Sequence, residues 1–256
     1  MKRFSDRIPH LLLAAYVVLF AWGAIAPYDR TTWWVENVPI VLIVVALVVL
    51  YMRGVRFSAL AYILMSVLPY WHTIGGHYTF ERVPFDWFNR AFGFKRNMYD
   101  RVGHFSVGFY AFAIAEYLIV RKRLSVTIAS LFALFAIGFV AMSYELIEWI
   151  YAAYGGNAEA GANFLGSQGD IWDAQKDMLM DTLGAVASLL LYLILRSKAG
   201  MLRGTNSGTP SGCQWFCSST PEVSDLRLLS GNPSGCEASS LRYKKGSLAE
   251  TFPGLN

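Results

Sequence analysis

Three pairs of ionisable residues stand at helical spacing beside apolar runs: Asp100 and His104 four apart, Glu145 and Glu148 three apart, Asp177 and Asp181 four apart. Residues three or four apart share a helix face, so each pair sets one polar group at the end of a helix and a second one a turn deeper. An Asp at the centre of a membrane helix costs about 2.5 to 3.5 kcal/mol on insertion scales, so such groups need partners. The inner members, His104, Glu145 and Asp181, are the candidate acid–base residues and are expected to converge on one polar site near the outer membrane boundary. Asp170, Asp173, Asp177 and Asp181 would stripe a single face if their helix starts early, and four carboxylates in a row stay ionised only beside cations, either a metal or side chains such as Arg96, Arg101 and Lys176. His72 and His77 flank Gly75-Gly76 in an expected loop, where glycines permit tight bends and the imidazoles could fold over the carboxylates. His72, His77, Asp100, Glu148, Asp173 and Asp177 are therefore the candidate metal ligands. Imidazole with carboxylate suits zinc, manganese or non-haem iron, and an all-oxygen set suits magnesium or calcium; a divalent ion, zinc or manganese, is the expected cofactor. The chain has no compact His-Glu-x-x-His motif, so these donors must meet from separate helices.

The same residues have plainer readings. His104 can serve as a hydrogen bond between helices. Glu145, Glu148 and Asp181 can pair with arginine. Asp170 and Asp173 can simply favour the positive end of a helix dipole. Glu116, near Arg121-Lys122-Arg123, reads as paired or snorkelling. Gly103, Gly108 and Gly184 read as points of close helix approach, and the abundant aromatic residues as interfacial belts.

The elements that must hold these groups follow from composition. The 256-residue chain is 55% hydrophobic and 16% charged, with a mean hydropathy of +0.37. Soluble domains carry about 25% charged residues, so a water-soluble enzyme is excluded. A net charge of +4, with its basic residues in small clusters between apolar runs, also argues against nucleic acid as a partner. The three cysteines, Cys213, Cys217 and Cys236, all lie near the C-terminus, so the apolar body holds neither a disulfide framework nor a thiolate metal site. Spanning a bilayer takes about 20 apolar residues. Six stretches qualify: Ile8 to Ala26, Trp33 to Met52, Arg53 to Trp71, Val102 to Val120, Leu124 to Tyr144 and Met178 to Leu195. Lys2, Arg3 and Arg7 with Ala24-Ile25-Ala26 resemble a secretory signal, but Pro27 disfavours cleavage, so an uncleaved anchor is expected. If the N-terminus is cytoplasmic, the inner loops hold ten basic residues against one acid and the outer loops seven against twelve. The positive-inside rule then places both termini in the cytoplasm. The expectation is an all-α polytopic membrane bundle of about six helices over residues 1–196, followed by a disordered tail over 197–256, rich in Ser, Gly and Pro.

Four motifs in order, His72-Thr73-Ile74-Gly75-Gly76-His77-Tyr78-Thr79-Phe80, Tyr99-Asp100-Arg101-Val102-Gly103-His104-Phe105, Glu145-x-x-Glu148, and the run from Phe164 to Met178, closely resemble the YjdF-like family of bacterial inner-membrane proteins. The resemblance covers about residues 1–196 and implies a location and a fold type; the family's function is unknown. A more distant likeness is to VanZ-like membrane proteins, through Asp100-Arg101-x-x-His104, Glu145-x-x-Glu148 and Asp177-x-x-x-Asp181-x-x-Gly184, with Asp181 in place of that family's asparagine. Two classes of function fit these residues. One is a metal-dependent hydrolase or transferase acting on a lipid-linked or envelope substrate. The other is a non-catalytic membrane protein, an ion-coupled transporter or an assembly factor, that uses the same residues for cation binding or helix packing.

Overall fold

The computed structural model describes residues 7–154 and 168–204, with side chains as far as 198. The N-terminal charges Lys2 and Arg3, the motif residues 164–167 and the tail from 205 onward lie outside the described residues. Those residues form an all-helical fold of eight segments: α1 (Ile8–Gly23), α2 (Arg30–Met52), α3 (Ala59–Tyr78), α4 (Asp86–Phe92), α5 (Tyr99–Val107), α6 (Tyr110–Val120), α7 (Val126–Tyr154) and α8 (Asp173–Gly204). Four stretches are long and apolar enough to cross a membrane: α2, α5 with α6, α7, and α8. With the shorter α1 and the less apolar α3 they correspond to the six expected spans.

Local chemistry sets several boundaries. Pro9 sits in the first turn of α1, where its missing N–H costs nothing. The Asp29 carboxylate accepts the Thr32 N–H at 2.6 Å and opens α2; the same bond holds the Asp29 carboxyl below its usual range. Ser58 caps α3 through the Ala61 N–H, so Arg53 to Ser58, expected inside the third span, belongs to the connection. The carboxylate of Glu116 accepts the Ser58 N–H at 2.8 Å and its hydroxyl at 2.7 Å. Its carboxylate thus engages the start of α3. At its far end α3 runs on to Tyr78 and stops where Thr79 takes a left-handed φ of 60°. The expected loop around Gly75-Gly76 is therefore helix. Those glycines serve packing: a Cβ on Gly75 would lie 2.5 Å from the Phe80 ring, and one on Gly76 2.8 Å from the Asn37 amide. Similarly, α7 continues past Tyr144 to Tyr154 and carries Glu145 and Glu148 within the helix. The backbone of α8 continues past residue 196 to Gly204, through residues that include the good helix formers Lys198, Ala199, Met201, Leu202 and Arg203.

Packing rests on small residues, as expected where lipid removes any hydrophobic drive between helices. Ala61, Ala111, Ala115, Ala129, Ala133 and Ala185 are fully buried, whereas Phe132, Phe135 and Phe139 of α7 face outward. One side of the bundle joins α8 to α5, α6 and α7; the other joins α3 to α1 and α2, with α3 also meeting α5 and α6. The closest approach is between α5 and α8. A Cβ on Gly184 would fall inside the carbonyl oxygen of Phe105, and one on Gly108 inside the backbone of Gly184 and Ala185. The continuous run breaks here between α5 and α6, and the Gly108 carbonyl accepts the Ser188 hydroxyl of α8 at 2.9 Å. Freed backbone groups in a membrane helix need such a partner.

Gly184→Leu should therefore force α5 and α8 apart and destabilise the protein by about 3 kcal/mol or more, seen as a lower Tm in detergent. Gly138, whose Cβ would meet nothing within 4 Å, supplies the control: Gly138→Leu should leave the Tm unchanged or raise it.

Candidate functional site

The Gly108/Gly184 contact brings the turn containing His104 against the turn containing Asp181. His104 Nδ1 lies 3.4 Å from Asp181 Oδ2. Its other nitrogen, Nε2, faces Asp100 Oδ1 at 3.7 Å and Asp177 Oδ1 at 3.6 Å. One donor atom each from Asp100, His104 and Asp177 fall within 4.8 Å of one another, a spacing that a single metal ion could bridge. Asp181 is 1% exposed, and its Oδ1 is buried with no hydrogen-bond partner.

The cluster is anchored by Arg101. This guanidinium, 3% exposed, contacts Asp173 and Asp177 closely and lies 4.0 Å from Asp100 and 3.6 Å from Asp170. Arg96 reaches Asp173 at 2.5 Å and Asp170 at 3.5 Å, while Lys176 holds Asp170 at 2.6 Å. That ammonium, together with the Trp172 N–H, keeps the Asp170 carboxyl below its usual range. Asp170 stands just before α8 rather than within it. Asp173, expected among the ligands, is committed to two guanidiniums. The outer half of the Asp stripe is thus an ion-pair lattice, and only its inner half meets the imidazole.

A second polar group faces the first. Glu36, 4% exposed on α2, accepts from His72 at 3.0 Å and from the Tyr144 hydroxyl at 3.4 Å. Both sets line one cavity of about 290 Å³, whose polar end includes Glu36, His72, Asp100, His104, Glu148 and Asp181. Glu148 of α7 therefore joins the site. Glu145 is within electrostatic reach of His104, Asp177 and Asp181, and its Oε1 is buried without a hydrogen-bond partner.

His77 does not join. Once residues 72 and 77 lie on one helix, five steps of 3.6 residues per turn set them about 140° apart. His77 instead faces α1, with Nδ1 3.0 Å from the Gly23 carbonyl and its ring against Trp22. Glu36 is the residue that sequence reasoning missed. By the charge pattern it falls among the twelve acids of the outer loops, yet it follows Trp33 inside the second apolar stretch, and a lone acid within such a stretch is the available signal.

Two aromatic contacts fix the frame. Trp71 Nε1 donates to the Tyr99 carbonyl at 2.9 Å, Tyr99 Oη donates to the Trp71 carbonyl at 2.8 Å, and their rings stack 4.3 Å apart. These bonds tie the His72 turn of α3 to the start of α5, one turn from His104.

Comparison with known proteins follows the same boundaries. The Escherichia coli (strain K12) protein "Inner membrane protein YjdF" is 35% identical over 178 residues, which covers 68% of this chain and 83% of that protein. No solved structure matches. The VanZ likeness rests on its three motifs alone. The pattern of the family described as "Predicted membrane protein (DUF2238)" matches residues 8–198, the whole of the described bundle up to the last turns of α8, and the chain is a multi-pass membrane protein belonging to that family.

Proposed function

We propose that this protein is a metal-dependent hydrolase or transferase of the bacterial inner membrane, acting at the outer face on a lipid-linked or envelope substrate. The observation that carries the reading is the orientation of His104. Asp181 on Nδ1 orients the ring, and Nε2 turns toward Asp100 and Asp177. A carboxylate behind a histidine whose second nitrogen faces further carboxylates is the usual arrangement around a catalytic metal. Asp100, His104 and Asp177 would hold zinc or manganese, leaving a coordination position open toward the cavity. The ion would polarise the substrate and activate water, and Glu148 or Glu145 would carry the proton. Charge supports a cation here. Six acidic side chains, Glu36, Asp100, Glu145, Glu148, Asp177 and Asp181, surround Arg101, His72 and His104, so acidic groups outnumber basic ones two to one. The outer Asp170 and Asp173 are matched by Arg96 and Lys176.

One observation favours a non-catalytic reading, an ion-coupled transporter or assembly factor: Arg101 already occupies Asp177, as it would in a purely structural ion pair. Equilibrium dialysis separates a metal site from a purely structural ion pair. The detergent-purified protein should bind about one equivalent of manganese or zinc at micromolar concentration, a binding free energy near 8 kcal/mol. His104→Ala should abolish it, and Asp181→Asn should weaken it about ten- to a hundredfold. Unchanged metal content in both variants would leave the structural ion pair.

The proposed outer-face site requires both termini to be cytoplasmic, which the ten-to-one basic excess of the inner loops supports. Reporter fusions after Arg56, Arg123 and Arg196 should all report the cytoplasm; a periplasmic signal at any of them would require a different helix count.

A further inference from the structure

The cavity beyond the polar cluster is not shaped for a small hydrophilic substrate. From the carboxylates it continues between α2 and α7 along Ile40, Ile43, Leu68, Ile114, Ile137 and Val140. The two helices are tied at the polar end by the Tyr144 hydroxyl on Glu36. Val140, one turn along α7 from Tyr144, is 51% exposed. The volume of about 290 Å³ is at the low end for small-molecule sites, and the arm beyond the carboxylates is lined by apolar side chains.

We infer that this cavity binds an amphiphile from the bilayer, with one hydrocarbon chain along the α2/α7 arm and an ammonium head at the Glu36/Glu148/Asp181 end. The inference deepens the proposed function by naming the substrate class, and it rests on that reading for the site being reactive, but not for binding. Charge selects the head. Glu36, Asp100, Glu148 and Asp181 line the polar end, and no lysine or arginine is among the lining residues. A phosphate or sulfate head would meet acidic groups there and no ammonium or guanidinium. Asp181 Oδ1 is an acceptor without a partner, in a side chain 1% exposed on the cavity wall, and a buried acceptor of this kind has most to gain from an N–H donor. The faces of Phe80 and Tyr144, both on the wall, suit a cation. Chain and head are thus recognised by separate parts of one cavity, and neither part alone accounts for its shape.

The test uses the full-length protein in maltoside micelles with a decylammonium probe bearing a photoreactive diazirine at the chain end. Crosslinks read by mass spectrometry should fall on Ile114, Ile137 or Val140. Decylammonium should compete at about tenfold lower concentration than decanol, decyl phosphate or ethylammonium. Asp181→Asn and, separately, Glu148→Gln should each erode that preference about tenfold while leaving the elution profile of the protein unchanged. Glu148 is only partly buried, so its variant remains informative if Asp181→Asn fails to fold. The competition is repeated with EDTA: a preference that persists there supports the amphiphile whether or not the metal reading holds. Equal competition by decanol, preference for decyl phosphate, or the absence of crosslinks in the arm would each overturn the inference.

Discussion

The polar site depends on the contact between the backbones of α5 and α8 at Gly108 and Gly184. Any side chain larger than hydrogen at either position would separate the helices, and the residues one turn away would separate with them. His104 stands four residues before Gly108, and Asp181 three before Gly184. Their meeting at 3.4 Å is therefore a consequence of backbone packing. The attraction of their charges would not suffice: in a membrane, association is driven by close packing and lipid entropy, and a buried ion pair gains little beyond what its desolvation costs. The Trp71–Tyr99 pair holds the third wall in place and sets the His72 turn of α3 opposite the same cavity.

Given that frame, the electrostatics follow. Arg101 is placed where one guanidinium can serve several carboxylates at once, and its planar fork suits that task better than an ammonium would. It bridges Asp173 and Asp177, while Arg96 and Lys176 serve Asp173 and Asp170, and the inner half keeps a surplus of acidic groups. Burial makes that imbalance costly, since each unpaired charge in low dielectric carries most of its desolvation penalty. A cation held by Asp100, His104 and Asp177, as proposed, would answer this imbalance, and so would an ammonium head entering from the cavity. Glu36 adds to the surplus from the opposite wall, so the negative charge surrounds the cavity instead of lying to one side of it.

Much of this was legible in the sequence, where helical spacing was enough to show it. The i, i+4 spacing of Asp100 and His104, and of Asp177 and Asp181, placed each pair on one face, and the apolar run lengths gave the spans. The three small residues Gly103, Gly108 and Gly184 stood out for the same reason. The reading of His77 failed because Gly75-Gly76 can mean either a bend or a packing surface, and the choice is made by Phe80 and Asn37, which arrive from outside the motif. Glu36 was hidden because its partners, His72 and Tyr144, are distant in the chain, and only the fold turns a lone acid near an interface into a buried one. The ends of α3 and α7 were missed because polar residues that face the protein interior look, in one dimension, like the start of a loop.

The central claim is that His104 Nε2, with Asp181 behind it, is a metal ligand and not merely a hydrogen bond. The most direct measurement is pulsed electron paramagnetic resonance of the manganese-loaded protein with its histidines labelled by nitrogen-15. The account predicts a hyperfine coupling from one directly bonded histidine nitrogen, absent in His104→Asn and retained in His77→Asn. A manganese signal with oxygen and water couplings only, or a nitrogen coupling that survives His104→Asn, would contradict it.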